Sequence, residues 1–248
     1  MTAESAEEGP GLDDAAAIRL LREGRLEVAG RLVEATNMTL YCTISHGEHV
    51  AACVYKPVRG ERPLWDFPDG TLAAREVAAY EVAAVTGWRL VPPTVYRDGP
   101  FGPGMVQLWI DTDPEADLMA LVRSRLPGLR RMAVFDAVVN NADRKGGHLL
   151  PLPDGHVYGV DHGVCFSEEG KLRTVLWQWR GKALPREAVA VLVALEREIE
   201  RGRLGRRLRE LLTVAEVEAT WMRVRKLLET GVHPYPSDDW PAIPWPPI

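Results

Sequence analysis

At 248 residues and 46% hydrophobic content, the chain is long enough for one large domain or two tightly joined lobes around a real core, and bulk disorder is excluded. Its formal net charge of −5 argues against a general nucleic-acid binder, and no apolar run approaches the roughly 20 residues that span a bilayer. Three cysteines (Cys42, Cys53 and Cys165), odd in number, far apart and set in apolar runs, read as reduced core residues of a cytoplasmic protein.

Residues 1–11 are acidic, lack the apolar stretch of a secretory signal and are expected to fray. Asp13 or Asp14 can cap a short helix through Leu21, with Gly24 as its stop. Residues 26–35, 38–45 and 50–58 are rich in β-branched and aromatic residues, with turn-like Thr36-Asn37 and His46-Gly47-Glu48 between them. They predict a three-stranded antiparallel meander with Lys56 near the end of its third strand. Of 30 Lys and Arg residues only five are Lys, so a lysine in an apolar strand stands out.

Residues 59–70 form a loop with two prolines, two glycines and an embedded Trp65 and Phe67. Thr71 opens a strong helix that Gly87 closes, with Glu76 near its middle. Val91–Tyr96 and Met105–Ile110 predict two more strands joined by the turn Asp98–Gly104. That turn contains G-x-x-G-x-G, but it lies between strands rather than before a helix, and is no dinucleotide fingerprint. The polar break Asp111–Pro114 is the candidate boundary between an N-terminal lobe, 1–110, and a C-terminal lobe, 111–248.

Helices are expected over 115–124 and 128–141. The second ends in a polar loop, Asn140 to His148, whose paired glycines at 146 and 147 cannot continue it. Leu149–Leu152 and His156–Val160 flank the turn Pro153-Asp154-Gly155 as a hairpin, which returns Asp161 to the loop carrying Asp143, with Lys145 and His148 nearby. Two carboxylates meeting there suit phosphoryl transfer: one near the attacking hydroxyl, the other holding metal on nucleotide phosphates. Asp161, His162 and Cys165 lack the fourth ligand of a structural zinc site. After a loop with Trp177 and Trp179, amphipathic helices are expected over 186–201, 204–212 and 214–230. Arg201–Arg209, flanked by four glutamates, reads as a solvated face. The tail 232–248 holds six prolines, too many for a helix or strand, and is expected to lie on the surface pinned by Trp240 and Trp245.

This order of elements resembles the protein-kinase-like superfamily, particularly its phosphatidylinositol 3- and 4-kinase branch. It is most like a group of short actinobacterial proteins remotely similar to that branch. The likeness covers residues 26–170 in four short, separated pieces. It implies an α+β, two-lobed kinase-like fold: a β-rich N-terminal lobe with one inserted helix, and a mainly helical C-terminal lobe. By the same likeness Lys56, in ACVYKP, would contact the nucleotide α- and β-phosphates, and Glu76 would pair with it. Asp143, in NNADRKGGH, would orient the acceptor hydroxyl and take its proton, and Lys145 would reach the γ-phosphate. Asp161, in VDHG, would hold metal, and Gln107–Ile110, including Trp109, would form the hinge beside adenine.

The implied cofactors are ATP with Mg²⁺ or Mn²⁺, and the implied partner is a hydroxyl-bearing acceptor. The sequence leaves that acceptor open among lipid, small molecule and protein, and leaves transfer of AMP open beside transfer of phosphate. No nucleic-acid or integral membrane partner is expected; peripheral membrane contact stays open. Two positions depart from the pattern. His148 stands where the superfamily has Asn: it favours Mn²⁺, leaves only the Asp161 metal, or marks lost catalysis, so the rival expectation is a nucleotide-binding pseudokinase. The first hairpin, Ala35 to Thr39, lacks phosphate-cradling glycines, leaving Thr36, Asn37 and Thr39 as side-chain donors.

Overall fold

The structure is a computed structural model and describes residues 13–32 and 36–248. The expected frayed tail 1–11, and positions 33–35 at the end of the first strand run, lie outside the described residues. The first helix, α1 (Asp14–Glu23), begins where the Asp13 side chain accepts the Ala16 N–H at 2.7 Å, and it buries Ala17, Leu20 and Leu21. Gly24 ends it where no side chain fits: a Cβ there would lie 2.5 Å from the Leu20 carbonyl oxygen and 2.6 Å from Ile44.

Strands β1 (Arg25–Arg31), β2 (Leu40–His46) and β3 (His49–Pro57) form the expected meander, with Cys42 opposite Cys53. Strands β4 (Thr94–Gly99) and β5 (Gly102–Leu108) complete an antiparallel sheet of order β1-β2-β3-β5-β4. β4 starts later than the apolar run because Pro92 and Pro93 have no N–H for the ladder. The β4–β5 turn is also tighter than Asp98–Gly104: Gly99 already pairs with Gly102, and only Pro100 and Phe101 lie between. Along β3 the strand period divides the side chains. Cys53 and Tyr55 are fully buried in a core shared with Leu20 and Leu21 of α1, while Val54 and Lys56 face the other way.

Helix α2 (Leu72–Thr86) ends at Gly87, whose φ of 67° is the left-handed conformation of a C-terminal cap. It is buried almost all round. Ala73 and Val77 pack with Met105 of β5, while Ala78, Ala79, Val82 and Ala83 join the main core of the C-terminal half. That half comprises α3 (Leu118–Arg123), α4 (Pro127–Val139), the hairpin β6 (Leu149–Pro151) and β7 (Val157–Gly159), then α5 (Arg186–Glu200), α6 (Arg203–Leu211) and α7 (Val214–Thr230). α3 is shorter than its apolar pattern because Asp117 caps it, accepting the N–H groups of Met119 and Ala120. The core places Leu129, Met132, Phe135 and Val138 of α4 with Leu192, Leu195 and Ile199 of α5 and Val217 and Val224 of α7. All three cysteines are buried and unpaired. Trp240 stacks on Trp65, 6.1 Å between centroids, but Trp245 is 85% exposed; the end of the tail is held instead through buried Pro244 and the Gly146 N–H, which donates to the Pro247 carbonyl.

Candidate active site

Lys56 leaves β3 on the face opposite Tyr55, and its ammonium lies 2.6 Å from Glu76 Oε1 and 2.8 Å from Asp161 Oδ1. The second oxygen of Glu76 accepts the backbone N–H of His162 at 2.8 Å. One carboxylate on α2 therefore ties β3 to the segment after β7. Asp161 has a φ of 61°, a left-handed backbone that non-glycine residues rarely adopt and that surrounding structure must enforce.

The loop Asp143–His148 is set by what precedes it. α4 stops at Asn140, in the left-handed region at φ 53°, whose amide donates to the Ser167 and Glu169 carbonyls and accepts the Lys171 N–H. Asn141 accepts the Asp143 N–H. Arg144 then turns inward, fully buried, and donates to Asp136 at 2.9 Å, to the Val160 carbonyl at 3.0 Å and to His162 Nε2 at 2.6 Å. Its neighbours turn outward: Lys145 Nζ lies 3.1 Å from Asp143 Oδ2, both partly exposed. His148 Nδ1 takes a long contact of 3.5 Å from the Lys145 N–H, and Nε2 faces Asp161 Oδ2 at 3.4 Å.

These groups border a cleft of about 670 Å³ between sheet and hairpin, within the range of small-molecule sites. Thr36, Asn37, Lys56, Gln107, Trp109, Lys145, His148 and Asp161 line it, with Val54, Leu108, Ile110, Leu150 and Val160 as apolar walls. Asp143 is not part of that lining and joins the cluster through Lys145. Gln107 is buried, its amide donating to Thr94 Oγ1 at 2.8 Å, and Trp109 donates to Asp111 at 2.9 Å. The Asn37 side-chain oxygen accepts the Arg62 N–H; among the described residues its NH₂ has no partner.

The charges are strongly coupled. Burial works against the Lys56 ammonium, but Asp161 and Glu76 outweigh it and raise its pKa. Lys56 in turn holds Asp161 well below the usual carboxylate range, over the opposing effect of burial; half of the Asp161 side chain still meets solvent. Burial raises Glu76 despite Lys56 beside it. Burial lowers His148, against the pull of Asp161, and lowers His162 much further with Arg144 adding to the effect. Both imidazoles are thus neutral near pH 7. Among the described residues no group of three or more His, Cys, Asp or Glu can enclose a metal ion. The ionised carboxylate of Asp161, half of it open to the cleft, could hold a hard cation such as Mg²⁺ through oxygen.

Four further charged residues bear on the site without standing out as reactive groups: Asp136, Arg144, Arg75 and Glu216. Arg75 donates to Glu216 of α7 and to the Cys165 carbonyl, so α2 is clamped to the C-terminal half one residue before Glu76. For Asp136 and Arg75 the signal was a charge inside an apolar helical run, in MAVFDAVV and LAAREVAA; Arg144 gave none, lying in a polar loop. Lys171 is buried as well, near Asp66 and Glu169 and enclosed by the rings of Trp65, Phe67 and Trp240.

An antiparallel five-stranded sheet, a helix whose glutamate meets a strand lysine, and a helical half bringing an aspartate to the same lysine together define a protein-kinase-like fold. Solved structures agree: the Golgi casein kinase superposes with a TM-score of 0.57 at 14% identity, over 88% of this chain and 76% of that one. The Helicobacter pylori proinflammatory kinase CtkA gives 0.51 at 10% identity, over 86% and 94%. The chain belongs to the family of Protein Rv2133c of Mycobacterium tuberculosis (strain ATCC 25618 / H37Rv): the two are 45% identical over 263 aligned positions, 92% of this chain and 94% of that protein. Phosphatidylinositol 4-kinase gamma 4 of Oryza sativa subsp. japonica is 29% identical over 127 positions, 44% of this chain and 22% of that protein. No family model matches.

Proposed function

We propose that this protein is an ATP- and divalent-metal-dependent phosphotransferase that moves the γ-phosphoryl group to a hydroxyl acceptor. The reading is carried by the convergence of Lys56, Glu76 and Asp161, from three separated segments, on a cleft of nucleotide size. The cleft would lie between lobes 1–110 and 111–248, with Gln107 to Ile110 beside the adenine. Lys56, steadied by Glu76, holds the α- and β-phosphates, with Thr36 and Asn37 as side-chain donors above them. Asp161, with His148 adjacent, holds Mg²⁺ or Mn²⁺, which when bound neutralises phosphate charge. Asp143 orients the acceptor hydroxyl and receives its proton. Lys145, now paired with Asp143, turns to the transferred group, where its charge offsets negative charge developing on the phosphoryl oxygens. The names of the rice and Golgi relatives point to a lipid and a protein acceptor respectively, so acceptor class is the open variable of this reading.

The experiment is ATP turnover with Mg²⁺ or Mn²⁺, in wild type beside Asp143→Ala, over a panel of lipid, protein and small-molecule acceptors. Turnover that falls about a hundredfold or more in the variant, with ATP still bound, supports the reading. One observation favours a second reading, a nucleotide-binding module without transfer: the His148 imidazole stands 3.4 Å from Asp161, where the superfamily has a metal-binding oxygen. ATP binding with no turnover across the panel would select it.

A further inference from the structure

The last eight residues, Pro241–Ile248, include four prolines and have few N–H groups of their own to satisfy. They lie on the body of the protein as a ligand would, through their carbonyls. Arg173 Nε donates to the Pro241 carbonyl at 3.1 Å; the Thr174 N–H and the Trp177 indole N–H both donate to the Ala242 carbonyl, at 3.1 and 2.8 Å. At the far end the Gly146 N–H donates to the Pro247 carbonyl at 2.8 Å. Residues 173–175 themselves bond to Arg144: the Arg173 carbonyl accepts the Arg144 N–H and the Arg144 carbonyl accepts the Val175 N–H. The tail therefore grips both the loop that carries Asp143 and the segment paired with it.

The groove is shaped for this occupant. Pro244 is buried and Pro247, three positions on, half-buried, while Ile243, Trp245 and Ile248 stay exposed. Gly146 makes room for the chain end: a Cβ there would come within 2.9 Å of Ile248 and 3.2 Å of Val122. A buried indole N–H reading a carbonyl in a proline-rich segment is a recurring mode of peptide recognition, and proline stiffness lowers the entropic cost of docking. Among the described residues the segment is held by four hydrogen bonds and one buried side chain, few enough to be displaced.

We propose that this groove is a docking site for an extended, proline-rich polypeptide segment of a partner, and that the chain's own Pro241–Ile248 is its resident, displaceable occupant. Displacement frees the Gly146 N–H and with it the turn bearing His148. The proposal stands on the groove's geometry, apart from any phosphotransfer.

The probe is a labelled peptide of sequence PAIPWPPI, titrated into the full-length chain and into a chain ending at Trp240. A tethered occupant competes at high effective concentration, so the shortened chain should bind the peptide at least roughly tenfold more tightly. Its Gly146 amide should exchange faster with solvent, and the peptide should restore protection. Equal binding to both chains, or no binding to a shortened chain that melts like the parent, overturns the proposal. So does equal binding of a peptide with its prolines replaced by alanine. Where the shortened chain does not fold, full-length Ile248→Asp takes its place and must bind the peptide roughly tenfold better than wild type, or the proposal falls. Concentration-dependent dimerisation of the full-length chain through its tail would assign the groove to a second copy and also overturn it. ATP turnover is scored separately, so loss of the phosphotransfer reading leaves these outcomes unchanged.

Discussion

Lys56 and Asp161 stand 105 positions apart in the chain and meet at 2.8 Å, with Glu76 on the other side of the same ammonium at 2.6 Å. The two carboxylates are not equivalent: Glu76 is buried, whereas half of the Asp161 side chain reaches the cleft. Glu76 thus depends on Lys56 for compensation, and Asp161 can exchange that partner for a bound cation.

Lys56→Ala should therefore act mainly through Glu76, left buried and unpaired. Removing one member of a buried pair costs 3–5 kcal/mol, and the partial exposure of Lys56 brings the expectation to about 2–3 kcal/mol. Urea unfolding measures it. Adding Glu76→Gln should recover most of the loss, because the amide needs no counter-charge and its oxygen still accepts the His162 N–H. A double variant no more stable than Lys56→Ala would contradict this account.

Asp136 and Arg144 form an ion pair with no solvent contact on either side chain. Asp136→Ala strands a guanidinium that also braces Val160 and His162, so a loss of about 3–5 kcal/mol is expected. The cleft should loosen with it, seen as faster amide exchange at residues 160–162. Asp136→Leu with Arg144→Met removes both charges and should be less damaging than Asp136→Ala, without reaching wild type, because the Val160 carbonyl, His162 and the Asn141 amide lose their partners. A single variant near wild type would show the pair to be dispensable.

Much of the architecture was legible because local chemistry and global fold agree. The helices 186–201, 204–212 and 214–230 carry apolar residues at helical spacing, and the Thr213/Glu216 capping box starts the last of them. Gly87 and Asn140 mark helix ends through left-handed conformations that sequence can anticipate for Gly and, less strongly, for Asn. The family likeness already pairs Glu76 with Lys56, but the direct contact of Asp161 with the same ammonium was not legible, since it depends on how the segment after β7 packs against sheet and α2. Asp136 and Arg75 look like solvated helical charges until their partners, Arg144 and Glu216, arrive from elsewhere in the chain. Trp245 failed as an anchor for a related reason: apolarity favours burial, but in a proline-dense segment the fixed backbone turns some side chains outward.

His148→Asn replaces an imidazole with an oxygen donor beside Asp161. If the cleft holds a cation, the ratio of Mg²⁺- to Mn²⁺-supported ATP binding should rise, by about tenfold, because Mg²⁺ disfavours nitrogen ligands. Thermal-shift titrations with each metal measure it without needing turnover. An unchanged ratio would remove His148 from the metal shell and leave it as a neighbour steadying Asp161.

Stability should fall as the solution is acidified, ahead of carboxylate titration, because three histidines are held neutral. His233 is lowered from 6.5 to about 4 by burial, with the Arg130 guanidinium adding to it; His162 and His148 are lowered as well, His162 furthest. Each native value lies below the unfolded one, so between them the unfolded chain binds more protons. The stability these groups contribute is complete above about pH 6.5 and is lost as pH falls. For His233 the loss runs from about pH 6.5 to 4 and reaches on the order of 3 kcal/mol. His233→Gln can still accept the Arg130 N–H but cannot titrate, so urea midpoints of this variant should decline less between pH 7 and 4 than those of wild type. Equal slopes would show that His233 titrates alike in both states, and the acid sensitivity would then rest on His162, caught between Arg144 and the core.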